Sequence, residues 1–138
     1  MFKLALFALI TVSLAGCATR PVSNSEAVDV PADRILNTKF LHPVQNSGIV
    51  TIKRDSGQLG SMCSTRVFVN SEPIADLRTS EKVIAYLPVG DYIFSAWPNG
   101  ICGGGMSEVS ATVKADSKLN FRVGYGSNGD FSINPTAF

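Results

Sequence analysis

The chain predicts an all-β domain, a single antiparallel β-sandwich of about seven to eight strands, and three observations carry that expectation. Beyond Gly48, apolar and polar residues alternate with a period of two; turn signals break the alternation about every eight to twelve residues; and 12 Gly with 7 Pro among 138 residues suit short strands joined by tight turns. This length holds one modest core rather than two packed domains. A formal net charge of +1, with 45% hydrophobic and 17% charged residues, speaks against a disordered chain and against a nucleic-acid partner.

Residues 1–16 read as an address removed from the mature protein. Lys3 supplies a positive start, Leu4 to Leu14 an apolar run, and Ala15-Gly16 the small residues before a cleavage point. As a helix that run spans roughly 17 Å, short of the hydrocarbon core of about 30 Å, so a permanent transmembrane helix fails on length. It ends in Leu14-Ala15-Gly16-Cys17, which resembles the lipobox of bacterial lipoproteins residue for residue. The resemblance implies a diacylglycerol thioether on Cys17, cleavage before it and an N-acyl chain (palmitate or similar) on the new amine, with no other cofactor. Two or more acyl chains anchor a protein stably where one does not. Ala18, standing where an Asp would signal inner-membrane retention in such proteins, implies the outer membrane and its periplasmic face. Loss of Lys3 leaves the mature chain formally neutral.

Residues 17–47 read as the lipidated N-terminus and a flexible tether. Ala18 to Asp33 is polar, carries Pro21 and Pro31 and has no sustained period, so it reads as a spacer that reaches about 50 Å when fully extended. Arg34 to His42 reads either as a short helix capped by Asp33 or as an edge strand.

The sandwich proper is expected over residues 48–138. Candidate strands run Ile49–Arg54, Arg66–Asn70, Ile74–Leu77, Glu81–Leu87 and Asp91–Trp97, then through Val109, Ala111 and Val113, through Phe121, Val123 and Tyr125, and over Phe131–Ile133. In the fourth, Val83, Ala85 and Leu87 share one face; in the fifth, Tyr92, Phe94 and Ala96 share one face and Ile93 and Trp97 the other. The stretch Val83-Ile84-Ala85-Tyr86-Leu87-Pro88-Val89-Gly90-Asp91-Tyr92 resembles the strand, turn and Tyr-bearing strand of small transthyretin-like or PEGA-like β-modules. Together with Gly60-Ser61-Met62-Cys63 and Ile101-Cys102-Gly103-Gly104-Gly105, it is similar to an uncharacterised family of bacterial lipoproteins. The resemblance implies an Ig-like or transthyretin-like sandwich on a lipid anchor, with no activity to inherit.

With Cys17 taken by lipid, Cys63 and Cys102 remain, 39 positions apart, in a compartment where disulfides persist. One bridge between them is expected, contributing about 4 kcal/mol by loop closure. The pair lacks the Cys-x-x-Cys spacing of redox enzymes. Gly124-Tyr125-Gly126-Ser127-Asn128-Gly129 matches G-x-G-x-x-G literally, but Asp130 to Phe138 leaves no room for a helix and second strand, so it reads as a hairpin turn.

Nothing in the sequence assembles an enzyme or a metal site. His42 is the lone histidine, there is no Gly-x-Ser-x-Gly elbow, and no His-x-x-x-His or paired-Cys spacing occurs. Asp55 with Asp91 or Glu108 forms a carboxylate pair only if the fold brings them together. Lys53-Arg54 and Lys114 to Lys118 read as surface charge that keeps a sandwich soluble. The aromatic set Trp97, Tyr86, Tyr92 and Tyr125 supplies both core and contact residues, and Trp97 beside Asn99 and Gly100 is either a core residue against the disulfide or part of a partner-binding loop. The functional expectation is an outer-membrane-anchored, non-enzymatic lipoprotein that binds an envelope protein or glycan as a structural accessory. The alternative is a defensive or inhibitory lipoprotein that blocks an envelope enzyme or excludes phage.

Overall fold

Val50 and Ile52, Val67 and Val69, Val83, Ala85 and Leu87, Phe94 and Ala96, and Phe121 and Val123 all turn inward at the alternate positions a pleated strand dictates, and together they form one core. The structure, a computed structural model, describes residues 18–138; the signal sequence and Cys17 lie outside the described residues. Its strands are β1 (Val28–Asp29), β2 (Ser47–Arg54), β3 (Thr65–Val69), β4 (Glu72–Leu77), β5 (Glu81–Pro88), β6 (Gly90–Pro98), β7 (Ser107–Val113), β8 (Lys118–Tyr125) and β9 (Phe131–Pro135). They form a five-stranded sheet in the order β1-β5-β2-β8-β9 and a four-stranded sheet in the order β4-β3-β6-β7. The chain is therefore an all-β sandwich, as the alternation predicts. Phe94 of one sheet meets Phe121 of the other with ring centroids 4.8 Å apart, a tilted contact at the centre of the core.

Two pairings depart from the antiparallel expectation. β2 runs parallel to β8, with Ile49 opposite Lys118 and Arg54 opposite Val123, and the two-residue β1 runs parallel to β5. Alternation locates strands without stating their neighbours, and a parallel neighbour needs a long crossover, supplied here by everything from β3 to β7. The hairpin reading of the glycine-rich stretch holds: β8 and β9 pair antiparallel, with Tyr125 opposite Phe131.

The supposed tether is the larger correction. Residues 18–27 lie against the outer face of the five-stranded sheet and bury Thr19, Val22 and Ala27, and the chain then joins the sheet edge as β1 and puts Val30 into the core. The Thr19 N–H donates to the Tyr125 carbonyl at 3.0 Å, Arg20 and Ser56 exchange backbone hydrogen bonds of 2.8 and 2.9 Å, and Lys82 Nζ donates to the Asn24 carbonyl at 2.7 Å. The C-terminal residues share the same face, where Lys53 Nζ donates to the main-chain oxygen of Phe138. A polar segment without periodicity can still dock when its backbone finds partners and a few apolar residues find pits. A local sign of order was present in Ser23-Asn24-Ser25-Glu26: the Ser23 hydroxyl accepts the Glu26 N–H at 3.2 Å while the Glu26 carboxylate accepts the Ser23 N–H at 3.0 Å.

Arg34 to His42 is neither helix nor strand. A 3-10 turn over Ala32–Arg34 begins after Pro31 with no side-chain cap, so Asp33 does not cap it. Ile35 then forms a single bridge to Ala75, and the Leu36 N–H donates to the Ile74 carbonyl at 2.9 Å. The segment thus crosses from the edge of one sheet to the edge of the other and covers β4, with Val30 and Phe40 in the core. Arg34 locks this strap to β5 by donating to the Glu81 carboxylate. Burial raises the Glu81 pKa, but Arg34 and the Arg78 N–H outweigh it and hold the carboxyl below its ordinary range.

Candidate functional site

The termini cover the outer face of the five-stranded sheet; the outer face of the four-stranded sheet carries no such layer among the described residues. On it β3 sets Arg66 opposite Trp97 of β6 and Phe68 opposite Ser95. Alternation then brings Ile93, Phe68 and Trp97 to one surface as diagonal neighbours. Trp97 is 50% exposed, which decides between its two readings: it faces outward and is not core packing against the disulfide.

Beside the indole, on the neighbouring strands, lies a fixed polar frame. Arg66 Nε and Nη2 both donate to the Asp76 carboxylate at 2.9 Å. Asn99 donates its side-chain amide to Ser64 Oγ at 3.1 Å and to Asp76 at 3.2 Å, while its backbone N–H donates to the Ser64 carbonyl at 2.9 Å. The Arg66 hydrogen bonds hold the Asp76 carboxyl below its ordinary range against the opposing effect of burial, with Asn99 assisting. Arg66, Phe68, Trp97, Pro98, Asn99 and Gly100 line an open groove of about 460 Å³. The structure therefore brings the three loop residues singled out in sequence into one groove, with Asn99 as the brace and Trp97 as its exposed indole.

The neighbouring end of the sandwich is built around the disulfide. Cys63 and Cys102 are bonded with their Cα atoms 6.1 Å apart, the pairing expected from the cysteine count. The residues just before them, Met62 and Ile101, are 93% and 96% exposed. Arg54 organises this end from within: its guanidinium donates to the carbonyls of Cys63, Gly60 and Leu77. Gly60 adopts φ +69°, and a Cβ there would stand 2.5 Å from the Tyr125 ring. The Tyr125 hydroxyl in turn donates to the Gly103 carbonyl at 3.3 Å, and burial pushes its pKa up.

Beside it sits a buried charge network that the sequence reading missed. Asp55, 1% exposed, accepts from both Arg122 Nε and Nη2 and from the Thr19 hydroxyl at 2.8 Å. Lys53-Arg54, read as surface charge, is buried as well. Arg54 continues the inward face of Val50 and Ile52, a pattern visible in the sequence; Lys53 and Asp55 share the outward face that the termini cover. Burial pushes the Lys53 ammonium pKa down, and nearby Lys82 adds to this. The carboxylates weighed for acid–base chemistry go to separate partners: Asp55 to Arg122, Asp91 to Thr112 and Glu108 to Ser95. Among the described residues, no group of three His, Cys, Asp or Glu side chains gathers as a metal site, and no buried side-chain nitrogen or oxygen lacks a partner.

No family model matches the chain, and no curated protein or solved structure matches it either.

Proposed function

We propose that the chain is a lipoprotein held in the outer membrane through Cys17, facing the periplasm, and that it acts without catalysis as an accessory binding an envelope protein or glycan along the outer face of its four-stranded sheet. The observation that carries this reading is Trp97, a half-exposed indole on a rigid strand, with Phe68 as its diagonal neighbour, Ile93 beyond Phe68 on the same face, and the Arg66–Asp76 pair beside it. Contact surfaces concentrate their energy in such aromatic anchors rimmed by polar groups. The lipobox residues support the anchor, and the disulfide suits an oxidising compartment.

The test is photocrosslinking in the native host from a photoreactive residue at Ser110, on β7 near this face, with the intact mass of the N-terminal peptide measured in parallel. One crosslinked envelope component, lost in the Trp97→Ala background, together with a diacylated or triacylated Cys17, supports the proposal. Capture of an envelope-degrading enzyme in its active-site cleft instead favours the inhibitory alternative. Crosslinking unaffected by Trp97→Ala overturns the assigned surface.

A further inference from the structure

The start of the described chain and the two most exposed apolar side chains stand at the same end of the sandwich. Thr19 is fixed there by the Tyr125 carbonyl and the Asp55 carboxylate. Gly57 touches it, since a Cβ on Gly57 would lie 3.3 Å from the Thr19 Cα. From Tyr125 the contacts continue to Gly60 and Gly103, and from Gly60 to the Cys102 sulfur at 3.9 Å. Met62 and Ile101 stand beside the two bonded cysteines of this cluster, presented to solvent on a disulfide-braced edge. One exposed apolar side chain needs no partner, but two exposed this fully on the edge that also carries the start of the described chain are placed to meet whatever that start is attached to.

We infer that this disulfide end of the sandwich rests on the lipid surface, with Met62 and Ile101 set into the boundary between headgroups and acyl chains. The inference rests on the anchor reading of Cys17. From Thr19 back to position 17 the chain spans two residues, a reach of about 7 Å, where the spacer reading of residues 18–33 allowed about 50 Å. A lipid on Cys17 therefore leaves this end no room to stand away from the bilayer. The exposed charges here, Arg20, Arg78 and Asp130, are few and of mixed sign, so apolar insertion and not charge attraction sets the contact. The opposite end, with Val89 bonded to Asn46 and Asp116 to Ser47, points away from the membrane.

Depth-dependent quenching tests it on the full lipidated chain. Trp97 is the one tryptophan, so Trp97→Phe gives a silent background for Ile101→Trp, for Met62→Trp and for Val89→Trp at the far end. Each variant is placed in vesicles of phosphatidylethanolamine and phosphatidylglycerol with or without brominated acyl chains. Circular dichroism and an intact disulfide mass certify each fold, and the N-terminal mass certifies the lipid. At an insertion depth of about 5–10 Å, brominated lipid lowers emission from position 101 or 62 by about half or more and leaves position 89 unchanged. Equal, weak quenching at all three positions with Cys17 lipidated overturns the docked orientation and leaves the anchor standing. An unmodified Cys17 on a protein free of membrane overturns both.

Discussion

Gly124 shows how little space the N-terminal contact leaves. A Cβ there would stand 2.2 Å from Asp55 Oδ2 and 2.4 Å from Thr19 Oγ1, so Gly124→Ala has to displace one partner of a buried carboxylate. We expect a loss of at least about 2 kcal/mol, measured by urea unfolding, because crowding and a disturbed ion pair act together. Hydrogen exchange at the Thr19 amide, bonded to the Tyr125 carbonyl, should also quicken. Arg122→Met leaves Asp55 buried with only the Thr19 hydroxyl and costs about 3 kcal/mol, the low end for a broken buried pair because Arg122 is partly exposed. Trp97→Ala should behave oppositely, changing stability little and weakening partner binding by about 30-fold, readable as crosslinking yield against protein concentration. None of these contrasts is legible in the sequence. The strand from Asp91 to Trp97 carries apolar residues on both faces, so alternation separates Phe94 from Trp97 without saying which is inside.

At the scale of elements, all eight candidate strands exist within three residues of their expected bounds, because each is a local pattern of side chains between turn residues. What the pattern lacks is long-range partnership. Residues 18–33 are ordered by backbone groups of Tyr125, Ser56, Ser80 and Lys82, none of them near in sequence. The disulfide is the element-scale tie that arithmetic does reveal. Replacing Cys63 and Cys102 together by Ser should lower unfolding free energy by about 4 kcal/mol. The loss should be concentrated in faster hydrogen exchange over residues 57–64 and 99–106, as those loops lose their brace.

For the molecule as a whole, acid should weaken the fold through two carboxylates. Asp76, held by Arg66, and Glu81, where Arg34 and the Arg78 N–H outweigh burial, both have folded pKa values below their ordinary ones. Their contribution is complete above the unfolded values of about 3.9 and 4.3 and is lost as pH falls through the lower folded values. The urea midpoint should therefore drop between about pH 5 and pH 3, and Asp76→Asn with Glu81→Gln should flatten that drop.

The bonds between Thr19 and Tyr125 join positions 106 apart, and they also set an order of events in biosynthesis. β2, the central strand, lacks its second neighbour until β8 has emerged, and the receptor for Thr19 is the last residue of β8. Closure of the N-terminal segment therefore waits on β8, in a fold dominated by distant pairings of the kind that forms in milliseconds to seconds. Until Tyr125 is in place, Thr19 lacks both the carbonyl and the N–H that hold it. Under the proposed anchoring through Cys17, two positions before Thr19, lipid attachment and closure of the domain draw on the same few residues.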